Sequence, residues 1–148
     1  MKVICKQTCE KTKAVLDKGK CIALLVTRLA VGFVFLQAGW GKLNNLERTI
    51  NFFETLGIPA PSIQGPFVAG LEFVGGILLL VGFLTRFISI PLTVTLIVAI
   101  ATAKMDEVTA PWDILGLSEF ALIALLVVLM THGAGSASVD HFACRGKK

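Results

Sequence analysis

Charge is scarce in this chain. Asp, Glu, Lys and Arg make up 16% of its 148 residues, against roughly a quarter in soluble domains, while 55% of residues are hydrophobic and the mean hydropathy is +0.79. That balance argues for a compact membrane domain. The four cysteines, Cys5, Cys9, Cys21 and Cys144, contain no CxxC, and a CxxxC with no second pair is a weak metal or redox signal. No GxGxxG follows a strand-like run, and His132 and His141 lack ligand spacing. No intrinsic cofactor and no metal site are therefore predicted. The alternation of a membrane barrel is also missing. A formal charge of +4 could point to nucleic acid, but the basic residues gather at the two ends beside apolar runs. No nucleic-acid partner is expected.

What the chain does have is apolar length. Four segments, roughly 22–41, 66–84, 87–103 and 114–132, approach the ~20 residues needed to span ~30 Å of hydrocarbon. Backbone exposed to lipid must satisfy its own hydrogen bonds, so each segment is predicted to be a helix. The first is preceded by basic residues like a signal peptide, but it runs long, contains Arg28 and lacks a cleavage site, so it is read as a retained helix. The predicted fold is all-α, an integral membrane four-helix bundle. Residues 1–21 form a basic N-terminal segment, 22–142 the membrane domain and 143–148 a basic tail.

Lysines and arginines set the expected orientation. Lys2, Lys6, Lys11, Lys13, Lys18 and Lys20 precede the first span, Arg86 lies between the second and third, and Arg145, Lys147 and Lys148 follow the fourth. The other loops carry Glu47, Arg48, Glu54, Asp106, Glu107 and Asp113. Both termini are thus placed in the cytoplasm, where cysteine thiols stay reduced. The first outer connection is long for so small a bundle. Within it "LERTINFFETL" has helical spacing, with Asn44 and Glu47 as a capping box and Gly57 and Pro59 as a stop, which predicts a short amphipathic helix at the bundle mouth.

Polar residues inside the spans are the candidates for chemistry, because charge near the bilayer centre costs about 2.5–3.5 kcal/mol on insertion scales. At ~1.5 Å per residue, Glu72 falls about 9 Å and Glu119 about 8 Å below the outer edge. Gln37 shares that layer, and Lys42 and Lys104 end their helices there with stems long enough to reach down. Arg28 lies deeper, roughly 12 Å from Glu72 in depth. Glu72 and Glu119 are the candidate catalytic acids, and Arg28, Gln37, Lys42 and Lys104 the candidate ligand-binding residues. Gly32, Gly39, Gly76 and Gly116 mark small-residue faces for close helix packing, and Trp40 and Trp112 are expected interfacial anchors. The same charges are also consistent with ion pairs that only hold helix register.

The ordered stretches "RLAVGFVFLQAGWGKL", "FFETLGIPAP", "GLEFVGGILLLVGFLTR", "LGLSEFALIALLVVL" and "GAGSASVD" together resemble the DoxX family of small bacterial membrane proteins, over about residues 22–142. Arg28, Gly39, Lys42, Glu72, Gly76, Gly82, Arg86 and Glu119 match the recurring pattern. The resemblance implies the bacterial inner membrane and a redox context. Relatives include the DoxD-type subunit of thiosulfate:quinone oxidoreductase, membrane partners of thiol-stress proteins, and members that accompany copper-peptide systems. It implies a redox-complex subunit that positions a quinone or a small sulfur or thiol compound, with a bound quinone as the diffusible cofactor. Two other readings fit the residues: a small proton-coupled transporter component, and a scaffold for partner proteins. Membrane lipid, a redox protein partner and further copies of the chain are the expected contacts.

Overall fold

The computed structural model describes residues 2–104, 116–133, 135 and 138–139, with side chains from Ile22 onward except that of Lys104. It is built of helices: α1 Lys2–Asn44, α2 Leu46–Thr55, α3 Pro61–Val81, α4 Thr85–Ala99 and α5 Ser118–His132, with a π-helical turn Ile100–Lys104 continuing α4. Ile22–Asn44, Pro61–Val81 and Thr85–Ala103 are each long and apolar enough to cross a membrane, and Ser118–His132 is a shorter apolar helix. α5 starts at Ser118, with Leu117 extended (φ −72°, ψ 135°) as its cap, and residues 114 and 115 of the expected span lie outside the described residues. At ~1.5 Å per residue α5 is about 22 Å long, against ~30 Å of hydrocarbon. Trp112, the acids of the loop before α5, His141, Cys144 and the tail 143–148 lie outside the described residues.

Local chemistry sets the other boundaries. Pro61 opens α3 five residues earlier than the apolar run alone indicated, because proline at the first helical position gives up an N–H that has no partner there anyway. Gly82 ends α3 at φ +74°, with its own N–H and that of Phe83 returning to the Leu78 carbonyl. That left-handed cap leads directly into α4. Between α1 and α2 the expected capping box is not made. Asn45 is the cap residue, and its side-chain Nδ2 turns back to donate to the Gly41 carbonyl at 3.2 Å. The predicted stop at Gly57 does form, at φ +69°.

Val31 and Phe35 of α1, Leu79 of α3, Leu92 and Leu96 of α4, and Leu126 and Leu129 of α5 make one buried core. Many more large apolar side chains face outward. Phe33, Phe67 and Phe87 are 61%, 68% and 71% exposed. Burying such a side chain is worth about 1.5–3 kcal/mol, so helices that leave this many outside are built for a solvent of hydrocarbon.

Candidate functional site

The site begins with a seam of small residues between α1 and α3. A Cβ added at Gly76 would stand 2.5 Å from the Leu36 backbone nitrogen and 2.8 Å from the Gly32 carbonyl oxygen. One at Gly39 would overlap the Phe73 backbone. The two helices therefore run antiparallel with their backbones nearly touching, as small residues allow in membranes. Ala69, also fully buried, completes the α3 side.

That approach fixes the register of the charged pair next to it. Lys42 stands three residues beyond Gly39, and Glu72 three residues beyond Ala69. Lys42 Nζ donates to both carboxylate oxygens of Glu72, at 2.5 and 2.6 Å. The Glu72 side chain is 7% exposed and that of Lys42 33%. The carboxylate is thus held inside the protein while the ammonium group bridges it toward the surroundings.

Beside the pair lies a cavity of about 1050 Å³, bounded by α1, α2, α3, α4 and the π-helical turn. Its volume is at the upper end of ordinary small-molecule sites. Most of the wall is apolar, with Phe52 and Phe53 from α2, Phe67 and Leu71 from α3, and Val94 and Val98 from α4. Gln37, Lys42, Arg48, Glu72 and Thr95 supply polar groups. Pro91 also lines it; lacking an N–H, it leaves the carbonyl four residues back without that helical donor. The π-helical turn contributes Thr102 and Ala103, an example of a widened helix at a cavity wall.

Helix α2 lies over this cavity, docked on α3. Ile50 meets α3 at Gly65, where an added Cβ would come within 3.2 Å of Ile50 Cγ1. Thr49 is buried, and its hydroxyl donates to the Asn45 carbonyl at 3.1 Å. This turns the neighbouring face, with Arg48, Phe52 and Phe53, to the cavity.

Of the residues singled out from sequence, Gln37, Lys42 and Glu72 come together at the cavity. Glu119 does not join them. It sits in the first turn of α5, where a carboxylate suits the helix dipole, and accepts a hydrogen bond from the Ser118 hydroxyl at 3.0 Å. Arg28 also lies outside the residues that line the cavity. It is buried, at 3% exposed, and its Nη2 donates at 3.5 Å to the Leu80 carbonyl at the end of α3. Its guanidinium occupies the space a side chain at Gly82 would need. Arg86 is placed similarly at the end of α5, where a Cβ on Gly133 would be 3.0 Å from its Nε. Two arginines thus stand at helix C-termini, where orphan carbonyls favour cations.

Gly32, Gly39 and Gly76 lie in the seam, whereas no described residue would come within 4 Å of a Cβ at Gly116. Trp40 is half exposed and packs against Phe73 with ring centroids 5.6 Å apart, outside the cavity wall. The side chain of Lys104 is outside the described residues. Sequence reading missed Arg48, Phe52 and Phe53 as cavity residues. The i, i+4 spacing of Arg48 and Phe52 puts them on one face, but only the Ile50–Gly65 contact shows where that face points.

The DoxX family model matches residues 23–105, which hold all the cavity residues named above. A second model, described as the TQO small subunit DoxD, matches residues 66–148. The chain is 33% identical over 135 residues to a Bacillus subtilis protein named "Putative oxidoreductase CatD", covering 90% of this chain and 96% of that one. It is 40% identical over 65 residues to the Escherichia coli inner membrane protein YqjF, covering 44% of this chain and 48% of the relative. It is 30% identical over 130 residues to the Mycobacterium tuberculosis membrane protein Rv3486, covering 80% and 79%. No solved structure matches the chain. By its helices, its sequence and its relatives, the chain belongs to the DoxX family of membrane proteins.

Proposed function

We propose that this protein is a membrane subunit or partner of a redox system, and that the cavity beside Lys42 and Glu72 handles a quinone or a small sulfur or thiol compound. The observation that carries this reading is the joining of a large, mostly apolar cavity to one buried, charged pair. Aromatic walls from Phe52, Phe53 and Phe67 suit the flat face of a ring. The descriptions of the matching DoxD model and of the Bacillus subtilis relative point to the same class of chemistry.

A bound quinone would supply two-electron, two-proton chemistry, with electrons delivered by a partner. The residues of this chain would position it and manage protons. Glu72 would take up and pass on a proton, Lys42 would compensate negative charge on the carboxylate or on the ligand, and Gln37 would orient a ring oxygen. Glu119 would serve a second proton step at a distance from the cavity. Helices α1, α3, α4 and α5 would form a four-helix membrane bundle with both termini in the cytoplasm and α2 lying amphipathically across the outer mouth.

The test is quinone reduction in membranes of cells that carry Glu72→Gln, Glu119→Gln or both, compared with wild type and with a deletion. The reading expects the deletion to lower the rate and Glu72→Gln to reproduce most of that loss, on the scale of ~10²-fold for a lost proton-transfer group. Unchanged rates in the double variant would remove the redox reading and leave a scaffold.

A further inference from the structure

The cavity contains more polar groups than are free to meet a ligand. Thr95 Oγ1 donates to the Leu92 carbonyl at 2.8 Å, Thr102 Oγ1 to that of Val98 at 2.8 Å, and Gln64 Nε2 to that of Pro59 at 2.7 Å. Thr49 and Asn45 are likewise turned onto the backbone of the α1–α2 junction. Lys42 and Glu72 satisfy and neutralise one another. Among the described residues, Arg48 and Gln37 make no hydrogen bond or ion pair. Among the described residues, Arg48 is therefore the one lining charge without a counter-ion, and its five N–H donors are unspent.

We propose that the cavity selects amphiphiles with a single anionic head over neutral ones, and that Arg48 is the residue that binds the head. The inference rests on the reading of the cavity as a ligand site. The charges named on its wall, Lys42 and Arg48 against Glu72, leave one positive charge in excess, next to walls of low polarity. Arg48 stands one helical turn before Phe52 on the cavity face of α2, so a head held by the guanidinium leaves the body lying along the Phe52 ring and on toward Phe67 and Val94. The planar fork suits an oxyanion with two oxygens in one plane, such as a carboxylate or an ionised hydroxyquinone. Acyl carboxylates and acidic ring compounds share that head chemistry, and they differ in the body.

Equilibrium binding to the full chain in neutral detergent tests the proposal with two matched pairs of probes. The ring pair is 2-hydroxy-1,4-naphthoquinone, ionised at neutral pH, and neutral 2-methyl-1,4-naphthoquinone. The acyl pair is dodecanoate and dodecanol. The anion of at least one pair is expected to bind about tenfold tighter than its neutral partner, the scale of one charge-assisted hydrogen bond. Arg48→Gln should abolish the preference, and Arg48→Lys should restore part of it. Arg48 is exposed, so neither change threatens the fold, and micelle partitioning is common to all three proteins. Equal affinities within both pairs, or a preference that survives Arg48→Gln, would overturn the proposal. The outcomes separate it from the quinone reading. Ring probes that bind, with no preference in either pair, leave that reading standing and sink this one, whereas an Arg48-dependent preference in the acyl pair with no binding of either ring probe does the reverse. Absence of all binding would overturn both.

Discussion

Lys42 Nζ sits within 2.6 Å of both carboxylate oxygens of Glu72, a residue 30 positions away on the neighbouring helix. The contact depends on the glycines flanking it as well as on the charges. A buried carboxylate needs a partner, but the lysine can meet it only because Gly39 and Gly76 let α1 and α3 run nearly backbone to backbone.

Substituting one glycine of that seam should therefore cost stability out of proportion to its size. Gly76→Ala places a methyl against backbone atoms of both Gly32 and Leu36, which cannot rotate away, and overpacking of this kind costs about 1–3 kcal/mol. Gly70→Ala, where nothing lies within 4 Å, should be neutral or slightly stabilising. Thermal unfolding of the two variants in one detergent checks the contrast.

The ion pair predicts a characteristic double-mutant result. Lys42→Met leaves Glu72 unpaired and buried; because Lys42 is one-third exposed, the cost should be about 1–3 kcal/mol, below the range for fully buried pairs. Adding Glu72→Gln should recover part of that loss. The coupling energy from a double-mutant cycle on unfolding measures it. Additive effects would show that the two groups do not stabilise one another.

Arg28 and the cavity should be separable. Arg28→Gln removes a cation from the end of α3 and should lower thermal stability. Affinity for 2-methyl-1,4-naphthoquinone should stay within about twofold, since effects at sites that share no partners are independent. Calorimetric titration and a melting curve on the same preparation provide both readouts.

Helix α2 should loosen as a unit when its anchor is cut. Ile50 is half-buried against Gly65, so Ile50→Ala should cost about 1–2 kcal/mol, below the range for a fully buried isoleucine. The loss should appear as faster amide exchange across Leu46–Thr55, with α3 protected as before. Ligand affinity should fall in parallel, because Arg48, Phe52 and Phe53 all ride on α2.

Much of this architecture was legible in the sequence because membranes impose strong rules. Apolar length predicted the three long helices, and small residues marked faces for close packing on α1 and α3, though not that these two faces meet. Placing Lys42, Lys104, Glu72 and Glu119 in one layer brought Lys42 within reach of a carboxylate, but which lysine meets which acid was left open. The rest depended on tertiary detail that spacing does not encode. Equal depth placed Glu119 beside Glu72, but depth says nothing about which way a helix is turned, and Glu119 stays in its own helix's first turn. Arg28 lay too deep for the layer on the same arithmetic, and the structure gives it a different partner in the Leu80 carbonyl. Arg48 was legible only as a loop charge, since its aim is set by Ile50 docking on Gly65.

The quinone arm of the proposed function, that a quinone occupies the cavity next to Lys42 and Glu72, is the part most directly open to measurement. Mass spectrometry of quinone retained after gentle purification tests it directly, comparing wild type with Thr95→Trp, which fills the cavity from α4. The account predicts quinone in the wild-type preparation and at least about a tenfold reduction in the variant at equal protein, a steric loss of ~1.4 kcal/mol or more in affinity. Equal quinone in both, or none in the wild type, would contradict it.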